Sequence, residues 1–306
     1  MKKLYRVLII VTVGLLLLSA CGSSATKADD LLNTIKQRGY ILVSTDPNYA
    51  PQSFLNKEGM RLSNTKCPAD AYTTAEMQGF DVDVAKAIGD RLGVETCFPT
   101  PPWDAITAGN WQGKWDISVG SMTITTSRQK ILDFSIPYYY SSAVIAVRVD
   151  SGITELSQLD GKILCVATST TYEQWLNRDM EGLGLPKSAI YAQAPNVSII
   201  TLETDHECAQ AIAAGREDFI GFVTSELIVD SDIANGIPVV KLGGPVFYER
   251  LVAAFDKSSS LSTETLRAEV DKFLTQMHAD GSLTKISKQW FKDKNGEGLD
   301  YTVEPK

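Results

Sequence analysis

Between Gly120 and Arg128 the chain reads Gly120-Ser121-Met122-Thr123-Ile124-Thr125-Thr126-Ser127-Arg128, an apolar run giving way to small hydroxylated residues and then one arginine. Hydroxyls and free backbone N–H groups at such a strand-to-helix passage can hold an anion. The planar fork of Arg128 can pair a carboxylate through two parallel hydrogen bonds. A capped helix start with a surface arginine would read the same way. A second hydroxyl cluster, Ser169-Thr170-Thr171, follows the short apolar run Ile163–Ala167. Asp46, with Pro47 and Asn48, closes another apolar run, Tyr40–Thr45, where it is either a turn residue or a charged group at a strand end. Tyr49 and Trp103 stand beside strand ends, where core packing and a ligand pocket are both open to them. Glu173 is an acid near the second hydroxyl cluster. It could move protons, and it also suits the first turn of a helix.

Other chemistry finds little support. The only histidines are His206 and His278, and no two cysteines have CxxC spacing, so no metal site is expected. No HExxH, P-loop or nucleophile elbow is present, and no cofactor is expected. Gly182-Leu183-Gly184 runs into Pro186 and reads as a turn.

The elements that must position these residues alternate in type. Asp29 or Asp30 can cap a helix carrying Leu31, Leu32 and Ile35, stopped by Gly39. Asp81 can cap a helix with Val84, Ala85, Ile88 and Leu92, ending at Gly93 before a strand from Val94 to Phe98. Ala105–Gly109 leading to Trp115–Ser121 is echoed by Ala211–Gly215 leading to Glu217–Phe222. Leu266, Val270, Phe273, Leu274 and Met277 form a stripe at helical spacing, and Leu283, Ile286 and Trp290 mark another helix. Residues 57–78 are polar and irregular and read as an insertion. Strands alternating with helices argue an α/β fold with mostly parallel sheets, whose ligands bind beyond the carboxyl ends of the strands.

The amino-terminal segment has its own logic. Lys2, Lys3 and Arg6 precede an apolar run, Val7–Leu18, too short for a spanning helix, which needs roughly 20 apolar residues. That is signal-peptide anatomy. Leu18-Ser19-Ala20-Cys21-Gly22 resembles a bacterial lipobox, which implies cleavage before Cys21, acylation of Cys21 and anchoring to a membrane. Residues 1–20 are then a signal peptide and 21–30 a lipidated cysteine with a flexible tether. The whole chain carries a net charge of −8. Loss of the three leader cations takes the exported body to about −11. No run of Lys and Arg survives, which argues against nucleic acid as a partner.

Several ordered motifs resemble those of bacterial extracellular solute-binding proteins, family 3, the polar amino-acid receptors of ABC importers. They are Gly79-Phe80-Asp81-Val82-Asp83-Val84-Ala85-Lys86-Ala87-Ile88, Trp103-Asp104, Gly113-Lys114-Trp115-Asp116, Met122-Thr123-Ile124-Thr125 with Arg128, and Asp133-Phe134-Ser135 with Pro137-Tyr138-Tyr139. The resemblance runs from about residue 38 to 175 and, more weakly, to about 292. It implies a periplasmic-binding-protein-like type II fold of two α/β lobes joined by a two-strand hinge. One lobe would take residues 31–144 plus 245–306, the other 145–244. It implies a monomeric receptor that closes on an amino acid or related carboxylate and delivers it to an ABC permease. Residue by residue, Arg128 would grip the ligand carboxylate, with Thr123 and the backbone around Gly120 and Ser121 assisting. Tyr49 and Trp103 would sandwich the apolar part, Asp46 would face the far end or the amine, and Thr170 and Thr171 would add donors. Of the five cysteines, Cys67, Cys97, Cys165 and Cys208 remain once Cys21 is set aside, and three pairings are open. Cys67–Cys97 with Cys165–Cys208 is favoured because each pair then stays inside one lobe.

The sequence departs from the family pattern twice. Ser169 occupies a position usually held by glycine. Val223 stands where the family presents the aspartate that grips the ligand ammonium, and Glu226, just beyond, is the candidate replacement. Without a replacement, a receptor for an amine-free organic acid is the alternative. A dehydratase, using Glu173, is the enzymatic one.

Overall fold

The computed structural model describes residues 30–305. The expected signal peptide, Cys21 and all but the last residue of the expected tether lie outside the described residues. Helix α1 (Leu31–Arg38) is capped by the Asp30 carboxylate, which accepts from the Leu32 N–H at 2.9 Å, and it ends at Gly39 with φ of 81°. Strand β1 (Tyr40–Ser44) follows, then β2 (Asn48–Tyr49) and β3 (Ser53–Leu55). The stretch read as an insertion contributes β4 (Tyr72–Thr73) and β5 (Met77–Gln78). Arg61 gathers it by donating to the carbonyls of Ala71, Cys67 and Pro68.

Helix α2 (Phe80–Leu92) starts after Gly79, so Asp81 lies inside its first turn and does not cap it. Then come β6 (Glu95–Phe98), α3 (Trp103–Thr107), β7 (Ile117–Thr123), α4 (Thr126–Gln129) and the 17-residue strand β8 (Leu132–Arg148). The middle of the chain supplies β9 (Ile163–Ala167), α5 (Thr171–Leu176), α6 (Met180–Leu183), β10 (Ser198–Leu202), α7 (Asp205–Ala213), β11 (Gly221–Ser225), α8 (Glu226–Ala234) and β12 (Val239–Lys241). Strand β13 (Phe247–Asp256) and helices α9 (Glu264–Ala279) and α10 (Ser282–Trp290) complete the fold.

The main sheet runs β10-β9-β11-β8-β13-β7-β1-β6-β4, with β12 attached to β8. Its two ends are parallel: β1 with β6 and β7, and β9 with β10 and β11. The middle is antiparallel, where β13 lies between β7 and β8 and β11 joins β8, and the edge strand β4 and the attached β12 also pair antiparallel, with β6 and β8. The long strands β8 and β13 therefore belong to both halves of the molecule. Pro137, which has no N–H to give, sits in β8 where the register against β13 shifts.

Buried side chains collect on either side of this middle. Ile35, Ile41, Val84, Ile117, Phe255 and Leu274 belong to one core built on α1, α2, β1, β7 and α9. Ile145, Leu164, Val166, Trp175, Val223 and Phe247 belong to another. The opposite face of the same strands packs Ala146, Cys165 and Phe222 against Cys208 and Val229, as the two-residue period of a strand requires. Disulfides join Cys67 to Cys97 and Cys165 to Cys208, with Cα separations of 5.4 and 5.8 Å. The second ties β9 to α7.

Candidate functional site

The carboxyl ends of parallel strands from both halves face one cleft. Thr45 and Asp46 follow β1, Thr123 ends β7, Ser169–Thr171 follow β9, and Glu203 follows β10. Between them lies a small cavity. Asp46, Tyr49, Trp103, Gly120, Ser121, Thr123, Arg128, Thr170 and Thr171 all line it.

Among the described residues Arg128 is the one cation in that lining, and it is 6% exposed. Its backbone is set by helix α4, whose cap Thr125 accepts from the Arg128 N–H at 3.1 Å. Its guanidinium donates to the Thr123 carbonyl and, across the cleft, to the Ser169 carbonyl, each at 3.0 Å. It lies 5.3 Å over the Trp103 ring, whose indole N–H donates to the same Ser169 carbonyl at 3.2 Å. Burial draws its pKa down to about 10, against the pull of Glu249, so it stays charged at neutral pH. Two of its five N–H donors are used in these bonds, which leaves others for a ligand carboxylate.

Ser121 is held at φ of 55°, a left-handed conformation that costs a non-glycine residue of order 1 kcal/mol or more. The surroundings impose it. Its hydroxyl donates to Asp81 at 2.7 Å and accepts from Tyr139 at 2.6 Å, and its N–H donates to the Tyr138 hydroxyl at 2.9 Å. Tyr138 in turn donates to Asp81 at 2.8 Å. Asp81 thus fixes the end of β7 from beneath, and its own burial raises its pKa to about 7. Ser169 has φ of 59°, which explains why glycine suits that position. It is outside the cavity lining and contributes its carbonyl, as the acceptor for Trp103 and Arg128.

Three hydroxyls expected to face a ligand are committed elsewhere. Thr123 and Thr171 donate to Glu249 Oε1 at 2.6 and 2.5 Å, and Tyr172 donates to Oε2 at 3.0 Å. Thr170 caps α5, accepting from the Glu173 N–H and donating to the Ala167 carbonyl. What this corner offers a ligand is backbone N–H at a helix start, where the first groups lack helical partners. Glu249 was invisible as a site residue in the sequence, although an acid inside the apolar run of β13 was the available signal. It is 1% exposed, and desolvation holds its pKa above the usual carboxylate range. Glu173 accepts from the Ser169 N–H at 2.6 Å and does not line the cavity.

Glu226 also does not line the cavity. It opens helix α8 and ion-pairs with Lys241 at 2.8 Å. Val223 is fully buried in an apolar cluster, and Ser225 caps α8. Acids that sequence reading missed, Glu203 and Asp205, line the cavity together with Asp46. Asp205 sits behind Thr204, the cap of α7, in a Thr-x-x-Glu capping box that could have marked it.

Burial raises the Asp46 pKa to about 6, with the charges of Glu203 and Glu207 adding to the shift and the Asn48 N–H and His206 opposing it. A carboxyl raised on folding contributes stability below its unfolded value near 3.8 and loses it as pH climbs through about 6. Without ligand, the protein should therefore lose up to about 3 kcal/mol from this group between pH 4 and 7. Thermal melts of wild type and Asp46→Asn across that window check this, since the variant should show a flatter decline.

The description "Bacterial extracellular solute-binding proteins, family 3" matches residues 41–293. The L-cystine-binding protein of Escherichia coli (strain K12) is 26% identical over 86% of each chain. The ABC transporter glutamine-binding protein of Bacillus subtilis (strain 168) is 27% identical over 97% of this chain and all of its own. Among solved structures, an ancestral amino acid-binding protein described as a precursor of cyclohexadienyl dehydratase is similar with a TM-score of 0.65, 30% identity, and coverage of 85% of this chain and 99% of that one. An arginine-bound ancestral arginine-binding protein gives a TM-score of 0.64 at 27% identity, over 83% and 98% of the two chains.

Proposed function

The chain belongs to the bacterial extracellular solute-binding proteins, family 3, and from that premise we propose that it is the receptor of an ABC importer for an α-amino acid whose side chain carries positive charge. The observation that carries this reading is the polarity of the cavity. One buried guanidinium, Arg128, has Glu249 as its carboxylate neighbour, and beyond them stand Asp46, Glu203 and Asp205. A ligand with a carboxylate for Arg128 and amino or guanidino groups for the acids would match this lining. An amine-free acid would bring no positive charge to these acids and would add a further negative one to a partly desolvated space, which is costly. Similarity to an arginine-bound structure supports the same class.

In this reading the lobes are residues 31–144 with 245–306, and 145–244. They open and close about β8 and β13, and ligand shifts the equilibrium toward the closed form. Trp103 and Arg128, reaching from one half to the Ser169 carbonyl of the other, are the contacts that closure makes. The receptor works outside the cytoplasm, held to a membrane by acylated Cys21 beside its permease. The basic n-region, the short apolar run and the small residues before Cys21 support this.

The test is a thermal-shift panel of the common amino acids with ornithine, citrulline, small dicarboxylates and keto acids, followed by calorimetry. Ligand at 100 times its Kd stabilises the native state by about 2.7 kcal/mol. L-Arginine, L-lysine or L-ornithine should give the shift, with citrulline, the neutral counterpart of arginine, at least tenfold weaker. A response to keto acids alone would overturn the amino-acid reading.

A further inference from the structure

We infer that Asp205, at the start of helix α7, is the carboxylate that receives the α-ammonium of the ligand, in place of a carboxylate at the end of strand β11. The inference rests on the amino-acid reading above and assigns one group of that ligand to one side chain.

Asp205 is 6% exposed and lines the cavity, and its Oδ1 has no hydrogen-bond partner. The Thr224 hydroxyl is near enough to favour the charged form, yet it too lacks a formed bond. Asp205 thus lines the cavity with one carboxylate oxygen unpartnered, which leaves the group capacity for a donor that a ligand brings. The helix does not need this side chain: Thr204 caps α7, and Glu207 completes the capping box. The neighbouring residue is engaged elsewhere, with His206 Nδ1 at 3.1 Å from Asp232. Three residues further on, Cys208 is bonded to Cys165 of β9, which pins the start of the helix beside the loop that carries Ser169.

The charges around Asp205 are mostly of its own sign. Asp46 comes from the loop after β1, Glu249 from β13 and Asp232 from α8, and Tyr49 and Tyr172 lie close enough for its charge to act on their hydroxyls. Together with burial they hold its pKa well above the carboxylate range until a cation arrives. The strand-end position cannot do this work, because Val223 is packed in the apolar interior and Glu226 is paired with Lys241.

The experiment compares L-arginine with its 2-hydroxy analogue, which keeps the carboxylate and the guanidinium and lacks only the amine, by calorimetry on the wild-type protein and on Asp205→Asn. Wild type should prefer L-arginine by at least 100-fold. Asp205→Asn should lose that preference, with the analogue binding within threefold of wild type and Glu226→Gln behaving as wild type. Equal affinity of wild type for the two compounds overturns the assignment without any variant. So does an Asp205→Asn protein that keeps its preference. Wild type that binds neither these nor any other amino acid overturns the receptor reading and this assignment with it. Wild type that binds while only the variant pattern fails overturns the assignment alone.

Discussion

Arg128→Ala should lower affinity for the amino-acid ligand by roughly 100- to 1,000-fold. Each hydrogen bond to a charged group contributes about 1.5–3 kcal/mol, and a fork makes two. A loss near 3–4 kcal/mol corresponds to that range of Kd. The geometry leaves no substitute: among the described residues, Arg128 is the sole cation on the cavity wall. Truncation also frees the Thr123 and Ser169 carbonyls and removes a contact across the cleft. Arg128→Lys should fall between, because an ammonium keeps the charge and loses the planar fork. Calorimetric titration gives the affinity, and circular dichroism confirms the fold. A Kd within threefold of wild type would show that the carboxylate lies elsewhere.

The largest loss of stability is expected at Glu249. Its carboxylate accepts hydroxyls from Thr123, Thr171 and Tyr172, so it joins the end of β7, the start of α5 and strand β13 in one buried knot. It is also the carboxylate nearest in effect to the Arg128 charge. Glu249→Ala strands three buried hydroxyl donors and removes the negative charge that acts on the buried guanidinium, which should cost about 3–5 kcal/mol. Glu249→Gln keeps the shape and one acceptor oxygen and should cost about half as much. Urea unfolding followed by tryptophan fluorescence measures both, with the midpoint moving and the slope unchanged. An Ala variant as stable as wild type would mean that the three hydroxyls find other partners at no cost.

The parts of this fold that were legible in the sequence are those written in local patterns. The stripe Leu266, Val270, Phe273, Leu274 and Met277 is the buried face of α9, and Ile163–Ala167 is strand β9 to the residue. Gly39 and Gly93 stop their helices in the left-handed conformation, as expected of glycine after a last turn. Arg128, Trp103, Tyr49 and Asp46 meet at one cavity because each follows or flanks the end of a strand, and strand ends can be read locally. What escaped was partnership across the fold. Thr123 and Thr171 look like ligand donors until Glu249, more than 70 residues from either, is brought between them. Glu226 looked like a replacement acid because it is near Val223 in sequence. A helix start turns it toward Lys241, while Asp205, from another helix, reaches the cavity. Hydrophobic period and caps carry no information about which distant polar groups will be neighbours.

The Cys165–Cys208 bridge gives the site a history as well as a shape. It couples the strand leading to Ser169 and Thr171 with the helix that begins at Asp205, so two walls of the cavity are fixed by one oxidation event. Closing a loop of 43 residues restricts the unfolded chain by roughly 4 kcal/mol. Without the bond, those walls would be held together by packing alone. Reduction of this one bond should therefore loosen both walls at once, so that ligand affinity and stability fall together.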